Sequence, residues 1–294
     1  MSKKVVRMSA GLANRMLQYT YALYLKKKGY DVYVDNNYKA TKWKMEDIEW
    51  NRIFPNATLR QAPNSLIFKY GGSYSTIDKI RRHYLPFLSS VWISENAVSI
   101  PTGEDLKKFN YFTGVYQNAG IAEAVENVVK GLFHFSDFEV GSKNAELAMN
   151  MRSENSVAIH LRKGKDYMKN EAFANTCPLE YYLKAVDIIK DRVKDPVFYV
   201  FTDNPDWVKE NLKGIDYTLV EGNPAIGWGN HFDMQLMSCC KHNIIANSTY
   251  SWWGAFLNDN PDKIVIDPKY WFNPMIENYR KRENNTACNG WILL

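Results

Sequence analysis

A chain of 294 residues is too long for one small core and fits two domains of ordinary size. Its 46% apolar and 23% charged residues are those of an ordinary folded protein, and no stretch approaches the ~18 consecutive apolar residues of a membrane span. The net charge of +5, from 37 basic and 32 acidic residues, is too small and too dispersed for nucleic acid, which calls for a basic stripe. It suits a diphosphate ligand, or loose attraction to an anionic membrane surface.

The first element is a short buried strand, Lys4-Val5-Val6-Arg7-Met8. A loop, Ser9-Ala10-Gly11-Leu12-Ala13-Asn14, leads into a helix over 15–28, where Met16, Leu17, Tyr19, Thr20, Leu23 and Tyr24 recur at helical spacing and Gly29 supplies a C-terminal stop. Asp31-Val32-Tyr33-Val34-Asp35 is a second strand. This βαβ opening implies a parallel sheet. Residues 36–150 offer no topology that the pattern alone resolves. A second βα start follows at Ser156-Val157-Ala158-Ile159-His160-Leu161, with a helix over 178–190, a strand over 197–201, a helix over 205–212 and a strand over 217–220. A helix over 232–240, a strand over 243–246, a Ser-rich turn and a strand over 264–266 complete the run. Strand and helix alternate as in a doubly wound domain. The expected fold class is α/β, with domains 1–150 and 151–294 divided near Ser142 to Asn155, and with strand ends and helix N-termini turned toward a shared ligand.

The four cysteines, Cys177, Cys239, Cys240 and Cys288, form no C-x-x-C pair, which argues against a disulfide scaffold or a zinc site. Met1-Ser2-Lys3-Lys4-Val5-Val6 lacks the apolar run of a signal peptide. Both features point to the cytoplasm, with the inner face of the membrane as the place for any peripheral contact. The aromatic share of 14% either fills the core or lines a sugar site, where ring faces cover C–H patches.

Three segments carry chemistry. In His160-Leu161-Arg162-Lys163-Gly164-Lys165-Asp166-Tyr167, strand alternation puts His160 and Arg162 on one side at the strand end. The Arg162 fork suits two phosphate oxygens, although a solvated basic turn with a satisfied core histidine reads the same way. In Phe201-Thr202-Asp203-Asn204-Pro205, Asp203 either caps the following helix or faces the strand-end crevice, capping being the simpler reading. In Asn247-Ser248-Thr249-Tyr250-Ser251-Trp252-Trp253 a strand ends in several hydrogen-bonding side chains and enters a helix near Trp252. A plain cap needs only one of them, so an anion site is favoured.

Together these segments resemble glycosyltransferase family 11, the α-1,2-fucosyltransferases. Ala10-Gly11-Leu12-Ala13-Asn14-Arg15-Met16-Leu17-Gln18-Tyr19 resembles that family's G-G-L-G-N-Q-M-F-Q-Y start, and Tyr111-Phe112-Thr113-Gly114 through Gln117 its Y-F-x-G-x-x-Q segment. His160-Leu161-Arg162-Lys163-Gly164 is similar to H-x-R-R-G, and Phe201-Thr202-Asp203-Asn204 to F-S-D-D. The run Asn247 to Ala255 is similar to the closing N-S-T/S-F-S-W-W-G-A block, the longest and most specific of the set. Ala10 and Ala13 stand where the family has glycines, and Arg15 where it has Gln.

The resemblance implies a GT-B fold, two Rossmann-like domains facing across a cleft, with the first on the acceptor side. It also implies GDP-fucose as donor, inversion at the fucose anomeric carbon, and a galactose-terminated oligosaccharide or polysaccharide as acceptor. Carried over, Arg162 holds the β-phosphate, His160 sits beside the nucleotide, Asp233 reads the guanine edge, and Asn247, Ser248 and Thr249 contact the diphosphate, with Ser251 among the hydroxyls there. Gly11, Asn14 and Arg15 face donor or acceptor, and Gln117 joins the substrate-binding set. Asp166, Glu171 and His160 are the candidates for the base. Neither a metal nor a cofactor is expected, since no Asp-x-Asp occurs. Another linkage (α-1,6 or peptide O-fucosyl) and a non-catalytic sugar-binding module are the rivals. NAD and ATP motifs are absent from the sequence.

Overall fold

The computed structural model describes residues 2–37, 49–94, 98–174, 176–277 and 285–294. The chain divides into two compact units, Met1–His134 and Phe135–Leu294.

In the first unit β1 (Lys3–Arg7), β2 (Asp31–Asp35), β3 (Val91–Ile93) and β4 (Tyr111–Thr113) form a parallel sheet in the order β2-β1-β4-β3. The helix Leu12–Lys27 crosses from β1 to β2, starts earlier than its periodicity predicts, and ends before Gly29, which takes a left-handed φ of 88°. One sheet face packs Val5 and Tyr111 on Leu66, Ile67 and Tyr70. Beyond the Leu12–Lys27 helix, Tyr19, Trp50, Phe54 and Phe133 form an aromatic cluster with ring centroids 5.0–5.9 Å apart.

Gln18 ties two strand-end loops together. Its carboxamide accepts from the Ser9 N–H at 2.7 Å and donates to the Gly114 carbonyl at 2.8 Å. The turn it braces is strained, because Ala10 has φ 68°, a region that costs a residue with a Cβ about 1–2 kcal/mol. Ala10→Gly relieves this strain and gives back about 0.5–1 kcal/mol of it in backbone entropy. The expected net gain is about 0.5–1 kcal/mol, measured as a rise in urea midpoint at unchanged slope.

The second unit is a six-stranded parallel sheet of β5 (Ser156–Leu161), β6 (Val197–Thr202), β7 (Tyr217–Leu219), β8 (His242–Ile244), β9 (Val265–Asp267) and β10 (Ile292–Leu293), in the order β10-β9-β8-β5-β6-β7. The chain runs outward from β5 in one direction and from β8 in the other, which is the dinucleotide-binding strand order with its switch point between β5 and β8. Alternation along β5 sends Val157, Ile159 and Leu161 toward Tyr182, Ala185 and Ile189, and sends Ala158 to the opposite face with Met151, Leu236 and Met237. That second face corrects the expected boundary near residue 150. The helix Lys143–Ser153 buries Ala148 and Met151 in the second unit, so the division falls earlier, between His134 and Phe135.

Candidate active site

Open α/β sheets bind ligands beyond the carboxyl ends of the strands at the switch point, and in the second unit the residues after β5, β6 and β8 meet there. Asp203, which follows β6, binds the loop that follows β5. Its Oδ1 accepts from the backbone N–H of Lys163 at 2.6 Å and of Gly164 at 2.8 Å, while Oδ2 lies 3.8 Å from Arg162 Nε. The helix cap expected of Asp203 is made instead by Asn204, whose Oδ1 accepts from the Trp207 N–H at 3.2 Å and whose Nδ2 donates to the Lys163 carbonyl at 2.9 Å. The Asp-Asn pair therefore divides the work: one residue shapes the loop and orients Arg162, the other starts the helix.

Arg162 is 38% exposed and its guanidinium stands 5.3 Å from the Tyr167 ring centre. The neighbouring Lys163 points the other way. It is 7% exposed, donates to the Cys177 carbonyl at 2.6 Å and lies 4.7 Å from the Trp207 ring. Of the two adjacent cations Arg162 stays partly exposed and Lys163 is buried.

His160 lies on the same side of the strand, 9% exposed, with its ring 6.2 Å from that of Tyr250. Its Nδ1 has no hydrogen-bond partner among the described residues. Burial, with the Arg162 charge adding to it, pushes its pKa down to about 3. The base role expected of His160 does not fit this environment, since an imidazole so easily deprotonated takes up little of a proton at neutral pH. It is a neutral hydrogen-bonding group.

A stability consequence follows. With a folded pKa of about 3 against the ordinary 6.5, the unfolded chain binds the extra proton across that interval, so the native state loses stability as pH falls from 6.5 toward 3. The expected cost approaches about 1.4 kcal/mol per pH unit. His160→Gln flattens the stability profile over that window, as read by denaturant unfolding at a series of pH values.

The helix Thr249–Phe256 begins three residues before its expected start, with Ser248 as N-cap. The Ser248 side chain makes no capping bond, and the positive end of the helix dipole lies just beyond the carboxyl end of β8. Ser251, fully buried, turns its hydroxyl back toward the Ala246 and Ser248 carbonyls at 3.4 and 3.3 Å. Asn247, 4% exposed, is equally occupied: Oδ1 accepts from the Tyr167 hydroxyl and from Cys177 Sγ, and Nδ2 donates to the Trp271 carbonyl at 3.0 Å. The Asn247 and Ser251 side chains, expected to contact the diphosphate, are here engaged in these internal bonds, as buried polar atoms commonly are. Thr249 stays half-buried in the first turn. Gly254 lets this helix lie against Phe232–Cys239; a Cβ there would sit 2.7 Å from Met237 Cβ.

That packing brings Asp233, in the first turn of Phe232–Cys239, to the same end of the sheet. The Tyr250 hydroxyl accepts from the Met234 N–H at 3.0 Å and donates to the Asn230 carbonyl at 2.8 Å. Asp233 accepts from Asn223 at 2.7 Å, and burial raises its pKa. Tyr250 and Asn204 are organisers that motif spacing alone does not reveal, since each is surrounded in sequence by other polar residues. Glu171 is exposed in a turn whose backbone carbonyl accepts from Asn273 at 2.9 Å. Asp166 belongs to the short helix Lys165–Met168, and its side chain lies outside the described residues.

In the first unit Gly11 is the exposed N-cap of Leu12–Lys27, Asn14 is half-buried and Gln117, 4% exposed, follows β4. Arg15 differs from expectation: it is 1% exposed, with Nε on the Ala10 carbonyl at 3.0 Å and Nη1 on Asn36 at 3.3 Å. Its guanidinium supports the strained turn from inside.

These features define a sugar-nucleotide-type α/β enzyme of the GT-B class, with two units each built on a parallel sheet. The fold is that of the fucosyltransferase NodZ from Bradyrhizobium, with a TM-score of 0.50 at 12% identity, covering 86% of this chain and 91% of that one. Arabidopsis thaliana FUT1 in complex with GDP gives the same TM-score of 0.50 at 13% identity, covering 97% and 72%. The sequence profile of glycosyl transferase family 11 matches residues 107–294. An alpha-1,2-colitosyltransferase of Escherichia coli is 31% identical over 92% of this chain and 93% of its own length. The O-antigen biosynthesis glycosyltransferase WbnK of Escherichia coli is 29% identical over 90% and 93%. The galactoside alpha-(1,2)-fucosyltransferase 1 of Rattus norvegicus is 32% identical over 36% of this chain and 29% of its own length. The chain belongs to glycosyltransferase family 11, the α-1,2-fucosyltransferase family, and is a glycosyltransferase.

Proposed function

We propose that the protein transfers L-fucose from GDP-fucose to the 2-hydroxyl of a terminal galactoside, with inversion and without a metal ion. The observation that carries this reading is Arg162, held beside Asp203 at the β5–β8 switch point and close to the Thr249–Phe256 helix start. In the transfer the acceptor oxygen bonds to the fucose anomeric carbon, the bond from that carbon to the β-phosphate oxygen breaks, and GDP departs with the electron pair. Negative charge grows on the β-phosphate. A fixed guanidinium and a helix N-terminus stabilise it without reorganisation, the task an Asp-x-Asp-bound metal performs elsewhere.

The half-buried Asp233 carboxylate suits the N1–H and amino group of guanine, which would form two charge-assisted bonds. The unpartnered His160 Nδ1 suits a ribose or phosphate group of the nucleotide. The acceptor proton goes to a carboxylate, Asp166 or Glu171, or to water. The acceptor side is assigned to the first unit, around Gly11, Asn14 and Gln117. The α-1,2 linkage is supported by the names of the E. coli and rat relatives, and a surface polysaccharide acceptor by the O-antigen relative.

The second reading is a colitosyl donor, carried by the 31% identical relative. GDP release is to be measured in EDTA with lactose as acceptor, offering the fucosyl and the colitosyl donor in parallel. Lactose-dependent turnover with GDP-fucose and an α-1,2 product supports the first reading. Turnover with the colitosyl donor alone transfers the assignment to the second. Loss of turnover in EDTA, restored by a divalent cation, refutes metal independence.

A further inference from the structure

The helix Thr76–Tyr84 in the first unit and the turn after it are built inside out. Asp78 is fully buried and accepts from the Ser73 N–H at 3.1 Å. Arg81 donates to the Phe68 and Lys69 carbonyls at 2.8 and 2.9 Å, and Arg82 to those of Gly71 and Ser73. The charged face is therefore pinned to the body of the unit by hydrogen bonds. The apolar face points away: Ile77 is 65% exposed, Ile80 49%, Tyr84 71%, Phe87 79% and Leu88 50%. Residues 77, 80 and 84 fall on one helical face, and 87 and 88 extend it. A soluble surface rarely shows so many large apolar side chains together unless something covers them.

We propose that this face docks on an anionic phospholipid surface, the helix lying in the interface plane with its apolar side chains among the acyl-chain ends. The charge pattern selects this occupant. With Arg81 and Arg82 turned inward beside the buried Asp78, the exposed ionised side chains of residues 64–93 are Lys69 and Lys79, both positive. A second copy packed face to face would set equal positive charge against itself, whereas an anionic leaflet complements it. No helix among the described residues is long and apolar enough to cross a membrane. Arg82 binds the chain at Gly71 and Ser73, and the next residue, Tyr74, stacks 3.6 Å over Arg7, the last residue of β1. The face therefore runs from beside Tyr74, at the carboxyl end of β1, toward the amino end of β3, which Leu88 precedes by three residues. The inference stands independently of which sugar is transferred.

The test is co-sedimentation of the full chain with vesicles of phosphatidylcholine alone or mixed with phosphatidylglycerol, at low and high salt. The wild type is expected to pellet with the anionic vesicles, less so at high salt. Ile77→Ser with Phe87→Ser should weaken this about tenfold or more and leave the unfolding midpoint unchanged, as both side chains are exposed. Val140→Ser with Ile226→Ser, at positions 97% and 74% exposed in the second unit, should bind as the wild type does. Wild-type protein that stays in solution with anionic vesicles overturns the proposal, as does undiminished binding by the first double variant. Self-association that the first double variant abolishes, without vesicle binding, gives the face to a second copy and also overturns it.

Discussion

Arg162→Ala is expected to lower kcat about 10²–10³-fold while GDP remains bound within about tenfold of wild type. The asymmetry arises from when the charge develops. Bound GDP-fucose spreads its charge over two phosphates that solvent and backbone N–H groups also meet. In the transition state the β-phosphate gains charge as the glycosidic bond breaks, and only then does a fixed guanidinium contribute its full effect. Asp203 fixes it by holding the loop at the Lys163 and Gly164 N–H groups and standing 3.8 Å from Arg162 Nε. Arg162→Lys keeps the charge and loses the planar fork, so a smaller loss is expected. Lys163→Met is the contrast. That side chain holds the Cys177 carbonyl inside the fold, so its loss is expected in the unfolding midpoint, with kcat at the remaining folded fraction little changed. Single-turnover kinetics beside GDP titration separate the cases, and equal losses in kcat and GDP affinity for Arg162→Ala would show a uniform binding role instead.

How far the sequence exposes this architecture depends on the kind of element. β5 and β6 read directly because fully buried parallel strands are continuous apolar runs, and the helices between them carry clear periodicity. The region from 36 to 150 did not read because β3 and β4 hold three residues each and are defined by partners distant in sequence, β4 being paired with β1 and β3 at once. The helix Lys143–Ser153 shows the related problem of ownership: its small buried face reveals that it packs, and only the fold reveals on what.

The site shows the same division. That His160, Arg162, Asp203 and the 247–251 block gather at strand ends follows from the motif spacing. Which polar atoms remain for a ligand does not, because pairing is settled by distant residues: Trp271 and Tyr167 occupy Asn247, the Cys177 carbonyl occupies Lys163, and Asn36 occupies Arg15. A residue can therefore sit in a family motif because it holds the site's walls in place, with no ligand contact of its own.

Asn247→Ala is the measurement that decides between those two roles, and its expected effect is on the fold. The side chain joins three separate segments: Tyr167 in the short helix after β5, Cys177 before the helix Leu179–Arg192, and Trp271 beyond β9. Asn247, Tyr167, Cys177 and Trp271 are all buried, so truncation strands the Trp271 carbonyl, while the Tyr167 hydroxyl keeps the Thr176 hydroxyl at 3.0 Å. A buried polar group left unpaired costs about 1–3 kcal/mol, and the expected loss is of that size, a large share of a typical folding free energy. Tyr167→Phe leaves Asn247 Oδ1 with the Cys177 thiol and so should cost less, about 1 kcal/mol. Denaturant unfolding of both variants and of the pair tests the coupling: the double variant should lose less than the two single losses added together, as residues sharing one hydrogen bond do. GDP affinity, taken at a temperature where Asn247→Ala is still folded, should stay within about threefold of wild type if the carboxamide is structural. A drop of about a hundredfold in the folded protein, with an unfolding midpoint near wild type, would return Asn247 to direct contact with the diphosphate.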